Sequence, residues 1–429
     1  MEVLHPRCAG LDVHRDSVVA CARVALRGGA EHHLETFGTT TSELERLADW
    51  LAAHAVTQVA MEATGVYWKP VWAVLALAEA FELVLANAAH VRNVPGRKTD
   101  ANDATWLADL LAHGLVRASF VPPMAIQALR DLTRTRKQLT REAASHVQRI
   151  DKLLQAANLK LGSVLSDIMG ESGRAILDAL AAGEDDPECL ADQVRTRIRA
   201  SRAQVVEALR GRLPDHQRLL LRIHLGQVDA LDAAIAAIDA ELGERLDPAR
   251  EATARLATIP GVSALAAAVI VAEVGLDMGR FPSAAHLISW AELAKAPSAS
   301  ADGRPAEGGL CPRNDESAGK RRSTKLRKGA PWLKTLLVQT AWCAARAKGT
   351  YLRALFGRLK ARRGPRKAIV AVAAAILTAI YWMLKRGVAY QDLGADHFDR
   401  IDRTRLAARL ARKLDELGFD VTLTRREAA

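Results

Sequence analysis

Strand-like runs are confined to the first 120 residues of this chain, and beyond residue 126 only helical periodicity remains. That division limits the possible folds more than any other feature. CAGLDV (8–13), SVVACARVAL (17–26), HLETFG (33–38), TQVAME (57–62) and FELVLAN (81–87) are short, apolar and rich in β-branched residues, and turn residues bound them, so each is predicted to be a strand. Between them SELERLADWLAAH (42–54) puts Leu44, Leu47, Ala48 and Leu51 on one helical face behind the N-cap candidates Thr41 and Ser42, and VYWKPVWAVLALAEA (66–80) reads as a second helix. Strands first and crossovers later predict an α/β domain over 1–125.

From 126 to 250 apolar residues recur three and four apart: Leu139, Ala143, Val147, Ile150, Leu154 and Ala157, then Leu221, Leu225, Val228, Leu231, Ile235, Ile238 and Leu242. Two long helices follow, expected to pair as a hairpin or to zip onto another subunit as a coiled-coil spacer. A third, mainly helical region is expected over 251–390, opening with ATIPGVSALAAAVIVAEVG, where Pro260 and Gly261 break two helical stretches in the manner of a turn whose amides grip a phosphate backbone. Residues 292–308 are rich in Ala, Ser, Gly and Pro and read as a flexible loop. A helical tail with Leu406, Leu410, Leu414 and Leu417 on one face occupies 391–429.

The 429 residues leave room for two or three domains, and 49% apolar with 25% charged is a globular balance. Five cysteines, at 8, 21, 189, 311 and 343, form no CxxC pair, so a reducing compartment is expected rather than a disulfide framework or zinc ribbon. MEVLHPRCAGLDVH shows no basic start followed by an apolar run, and no export signal is expected. The 17 uncharged residues 368–384 are short and Ala-rich for a membrane span and are expected to be a buried core helix.

Charge is distributed unevenly. Residues 1–120 hold 10 basic and 14 acidic side chains, whereas 311–390 hold 19 basic and 2 acidic. A surplus of that density is the footprint of a polyanion partner, because Lys and Arg release counterions when they meet phosphates. An acidic module is thus joined to a nucleic-acid-binding one.

The chemistry-bearing residues divide the same way. Asp12 ends the first strand, Glu62 ends the fourth, and Asp100 with Asp103 lie three apart where a loop becomes a helix, a spacing that puts both on one face. Four convergent carboxylates repel one another unless divalent cations neutralise them, and hard oxygen ligands suit Mg²⁺; two such ions flank an in-line phosphoryl displacement. Asp16 and Asp109 read as solvated. There is no HExxH, no GxGxxG after a strand, and AGKR at 318–321 lacks the rest of a phosphate-binding loop. In the basic module LCPRNDESAGKRRSTKLRKG carries two hydroxyl candidates, Ser317 and Ser323. Cations around a serine favour its alkoxide and hold charge building on a phosphate, yet they equally suit a phosphate contact, so composition alone does not choose between the two roles. Lys98, Lys320, Arg321, Arg322, Ser323, Lys325, Arg327 and Lys328 are assigned to nucleic-acid binding.

GLDVHRDSVVA, VAMEATGVYWKPVW, HVRNVPGRKTDANDATWLA, IPGV and LCPRNDESAGKRRS followed by KGAPWLKTLL, in that order over nearly the whole chain, resemble the DEDD transposases of bacterial insertion sequences, the bridge-RNA-guided "IS one-ten" recombinases. The resemblance implies a RuvC-like (RNase H type) N-terminal domain, a coiled-coil spacer and a C-terminal transposase domain. Its four acids fall on Asp12, Glu62, Asp100 and Asp103, and its nucleophilic serine on Ser317, leaving Ser323 as a phosphate contact. It also implies a phosphoserine link to DNA, Mg²⁺, donor and target duplexes, a non-coding bridge RNA, a dimer or tetramer, and a cytoplasmic, nucleoid-associated bacterial setting with no membrane partner. The chain departs from the pattern where 292–308 separates SWA from GLCP, an insertion cheap in closure entropy. The alternatives are a RuvC-like metal-dependent nuclease in which water attacks, and a non-catalytic nucleic-acid-binding protein whose acids are structural.

Overall fold

The structure, a computed structural model, describes residues 2–63, 65–86, 91, 103–116, 118–119, 121–291, 316–317, 320–321, 331–401, 407, 410–412 and 414–420. It divides into two compact units, Met1–Pro122 and Pro123–Ala429.

The first unit is built on a five-stranded sheet of β1 (Arg7–Val13), β2 (Ser17–Leu26), β3 (Gly29–Gly38), β4 (Gln58–Glu62) and β5 (Glu82–Ala86), in the order β3-β2-β1-β4-β5. Tight turns make the first three strands antiparallel; the second turn, Arg27–Gly28, takes Gly28 to φ +101°, a left-handed conformation that glycine adopts freely. Parallel pairing of β4 with β1 and of β5 with β4 needs longer crossovers, and the helices α1 (Thr41–Ala53) and α2 (Trp68–Leu77) provide them. The central strand β1 is buried along most of its length, as a strand covered on both faces must be.

Side chains alternate across the sheet, and this sets the layers. Ala9, Leu11 and Val13 of β1 join Val59 and Met61 of β4 beneath Leu44, Leu47 and Leu51 of α1 and Val71 and Leu75 of α2. Each fully buried leucine contributes roughly 1.5–3 kcal/mol. The opposite face carries Cys8 and Ala60 beneath Leu107, Leu110 and Leu111 of α3 (Asp103–Ala112), while Cys21 packs with Ala104 and Ala108 of the same helix. A Cβ on Gly10 would lie 2.2 Å from the Ala104 carbonyl oxygen and 2.5 Å from the Ala108 nitrogen, so glycine is what lets α3 lie down on β1.

Among the described residues the second unit is helical apart from one small hairpin. Its long helices α4 (Met124–Ala156) and α9 (Asp215–Arg245) run antiparallel: Leu129 clusters with Leu242, Arg136 pairs with Asp239, and His146 meets His224. Over one end of this hairpin α5 (Leu161–Val164), α6 (Glu171–Ala182), α7 (Pro187–Ala191) and α8 (Arg202–Ala208) close a separate core of Ile176, Leu177, Leu190, Val205 and Leu209 on Ile150, Leu154, Leu221 and Leu225. Helices α10 (Arg250–Leu256), α11 (Ala264–Val274), α12 (Ala284–Trp290), α13 (Pro331–Ala344), α14 (Tyr351–Arg363) and α15 (Pro365–Arg386) form another core, and α16 (His397–Ile401) follows. The apolar run 368–384 lies within α15, which has the length and apolarity to cross a membrane; here Ile369, Val372, Ile376, Leu377, Ile380 and Tyr381 fill the centre of the bundle. Of the tail leucines, Leu410, Leu414 and Leu417 are exposed, and Leu406 lies outside the described residues.

Candidate active site

The sheet brings two of the four sequence-selected acids together by register alone. Leu11 of β1 pairs with Met61 of β4, and the next residue on each strand is Asp12 and Glu62. Neighbouring strands run about 4.8 Å apart. Alternation puts both acids on the face that α3 covers, since Leu11 and Met61 belong to the opposite core. α3 begins at Asp103, and the next residue, Ala104, is the one whose carbonyl approaches Gly10, two residues before Asp12. Asp12, Glu62 and Asp103 therefore share one face at the carboxyl end of the parallel strands. Asp103 also stands in the first turn of its helix, where the macrodipole favours negative charge. Asp100 and Lys98 lie outside the described residues.

The Asp12 side chain is 25% exposed, and its Oδ2 lies 3.2 Å from His14 Nε2. Sequence reasoning had no means to pick out His14; its signal is only that it follows Asp12 by two residues in a turn. Among the described residues no three His, Cys, Asp or Glu side chains lie close enough together to hold one ion. The donor chemistry at the rim is that of hard carboxylate oxygens, which fits Mg²⁺ or Mn²⁺ better than a soft or borderline metal.

Asp109, expected to be solvated, is instead an acceptor on the same face of the sheet. Arg23, only 7% exposed, donates from Nε to Asp109 Oδ1 at 2.8 Å, and His32 Nε2 approaches the same oxygen at 3.1 Å. A guanidinium that deep in a sheet needs a carboxylate partner, and α3 delivers one. Asp16, by contrast, is exposed as expected. Beside this group burial pushes the Cys8 thiol up to about 12 and raises that of Cys21, so both behave as apolar core residues.

In the second unit the chain around Ser317 forms a two-stranded hairpin, β6 (Glu316–Ser317) and β7 (Lys320–Arg321), with Ser317 in register with Lys320. Arg322, Ser323, Lys325, Arg327 and Lys328, together with the insertion 292–308, lie outside the described residues. The Pro260–Gly261 turn joins α10 to α11 with Gly261 at φ +86°. A Cβ there would lie 2.5 Å from both the Thr340 oxygen and the Ala344 nitrogen, so this turn is the seat of α13.

Family comparison agrees with the resemblance carried by the motifs. Residues 9–158 match the IS110 DEDD model described as Transposase, and residues 253–307 and 305–356 match the model described as Transposase IS116/IS110/IS902 family, together more than half of the chain. No curated protein matches it. The chain belongs to the IS110 family of DEDD transposases.

Proposed function

We propose that the protein is the transposase and recombinase of an insertion sequence, and that it cleaves and rejoins DNA strands through a covalent bond to Ser317. The observation that carries this reading is the shared rim of Asp12, Glu62 and Asp103 at the ends of parallel strands, in a chain whose family model spans the same residues. The strand order β3-β2-β1-β4-β5, antiparallel then parallel, supports a RuvC-like, RNase H type domain.

In this reading Asp12, Glu62, Asp100 and Asp103 hold Mg²⁺, in two sites. Bound there, the metal supplies charge neutralisation on the phosphate and on the attacking and leaving oxygens. Ser317 Oγ bonds to the scissile phosphorus while the phosphorus–oxygen bond to the 3′ carbon side breaks, and the serine proton passes to the departing 3′ oxygen, giving a free 3′ hydroxyl. A 3′ hydroxyl of another strand then attacks the phosphoserine, restores the serine and closes a new phosphodiester. Lys320, in register with Ser317, and the cations of 321–328 offset the charge that builds on the phosphate. A covalent link conserves the bond energy that hydrolysis would dissipate. Donor and target duplexes, a bridge RNA that pairs with both, and a dimer or tetramer complete the proposal.

The test incubates the purified protein with Mg²⁺, the transcript of its flanking DNA and matching donor and target duplexes, with Ser317→Ala in parallel, and resolves protein joined to DNA on a denaturing gel. An adduct absent from the variant is expected. Cut DNA without adduct, unchanged by Ser317→Ala, would replace this reading with a metal-dependent nuclease in which water attacks.

A further inference from the structure

The periodicity of α4 suits a spacer, yet one face of the helix carries Arg130, Arg134, Lys137 and Arg141. Spacings of four, three and four keep these cations on one side over roughly 16 Å of helix. They fall into two pairs. Arg130 and Arg134 close on Glu273 of α11, which is 3% exposed: Arg134 donates from Nε and Nη2 to its two oxygens at 2.8 and 2.9 Å, and Arg130 donates from Nε to the Ala272 carbonyl at 2.9 Å. Those charges are answered within the protein.

Lys137 and Arg141 meet no carboxylate among the described residues. Both approach the ring of Trp332, with Lys137 Nζ 5.9 Å and Arg141 Cζ 5.7 Å from its centroid, and Arg134 converges on the same ring at 5.7 Å. Three cations around one indole repel one another, and burial together with Arg141 holds the Lys137 ammonium below the ordinary lysine range. Among the described residues Lys137 and Arg141 have no anion. An aromatic ring with two uncommitted cations beside it is what a nucleic-acid backbone meets on proteins that hold it by charge and ring contact. Trp332 is also the second residue of α13, which follows the basic segment carrying Ser317 in the sequence.

We infer that Lys137 and Arg141, braced by Trp332, form a binding site for the phosphodiester backbone of duplex DNA at the start of α13. α4 then lies on the path of the DNA as well as separating other parts of the chain. The inference rests on the reading of the protein as a DNA-cleaving transposase, and duplex DNA is the ligand because α13, which Trp332 opens, follows in sequence the serine assigned to DNA.

The test measures binding of the full-length protein to a fluorescein-labelled DNA duplex by anisotropy over roughly 50–200 mM salt, for wild type, for Lys137→Gln with Arg141→Gln, and for the charge-preserving Lys137→Arg. Two lost phosphate contacts lower the slope of log K against log salt by about 1.8 and weaken binding on the order of 10- to 100-fold near 0.1 M salt. Lys137→Arg keeps both slope and affinity. Glutamine is a good helix former, and thermal melting verifies that the double variant is folded. An unchanged slope overturns the site. The serine adduct is scored on the same preparations: an adduct from wild type with an unchanged slope in the variant removes this site and leaves the transposase reading, whereas a lost slope with no adduct from wild type does the reverse.

Discussion

Asp12 and Glu62 are held within the strand ladders, Asp12 in register with Val19 of β2 and Glu62 with Ala86 of β5, whereas Lys137 and Arg141 ride on a single helix face and reach Trp332 through long side chains. The first arrangement fixes position, because a strand end in the middle of a five-stranded sheet cannot move without its neighbours. The second fixes charge density, because a flexible stem lets each cation follow a phosphate over several ångströms. Reacting groups must be held to about half an ångström, while a polyanion is satisfied by charge at approximately the right place. In the proposed reading the acidic unit holds reacting groups in place and the basic unit supplies charge to a polyanion.

The largest expected effect tests the positional side of that contrast. Asp12→Asn and Glu62→Gln preserve shape and remove charge, and strand cleavage measured by gel is expected to fall at least about 10³-fold, against less than about tenfold for Lys137→Gln alone. Cleavage within tenfold of wild type in either acid variant would break the contrast.

Next in size is a place where the basic unit fixes charge by burial. Arg134→Ala leaves Glu273 buried with Arg130 3.8 Å away, and urea denaturation is expected to show a loss of about 3 kcal/mol. A change below about 1 kcal/mol would place Arg134 with the mobile surface cations instead.

A similar loss, about 2–3 kcal/mol, is expected for Gly10→Ala, whose new methyl meets the backbone of α3. The buried thiols of Cys8 and Cys21 report it: iodoacetamide labels them at lower urea than in wild type, and unchanged labelling would show that α3 yields without cost.

The smallest effect concerns pH. His224 faces His146 across the α4–α9 hairpin, with their Nδ1 atoms 3.1 Å apart, and burial, then His146 and Arg149, hold the His224 imidazole below the ordinary histidine range. A depressed pKa in the folded state means that stability is complete above the unfolded value near 6.5 and declines as pH falls below it, because the unfolded chain takes up the proton first. Melting temperature is expected to decline modestly on acidification through that window and to decline less in His224→Gln; identical profiles would remove the histidine pair from the account.

Local pattern made much of the architecture readable. The strands and the two long helices announce themselves because burial on one face imposes a period of two or of about 3.6 residues, and Asp12, Glu62 and Asp103 stand out because they punctuate those elements. Asp109 was not readable, since Arg23 and His32 reach it across 86 and 77 residues and no local pattern encodes that meeting. Glu273 looks like any acid in an apolar helix until α4 is laid beside it. The cations of α4 have the spacing of a solvated stripe, and only the position of Trp332, nearly two hundred residues later, shows that three of them share a neighbour.

α15 bears on the order in which the chain is made. Its packing partners Leu256, Ile270, Leu287 and Leu337 all precede it in sequence, so each has been synthesised before residues 368–384 leave the ribosome. Synthesis adds roughly 5–20 residues per second, and helices form far faster than that. The run apolar enough to enter a bilayer thus emerges after these partners, so its burial against them does not wait on sequence still to be made.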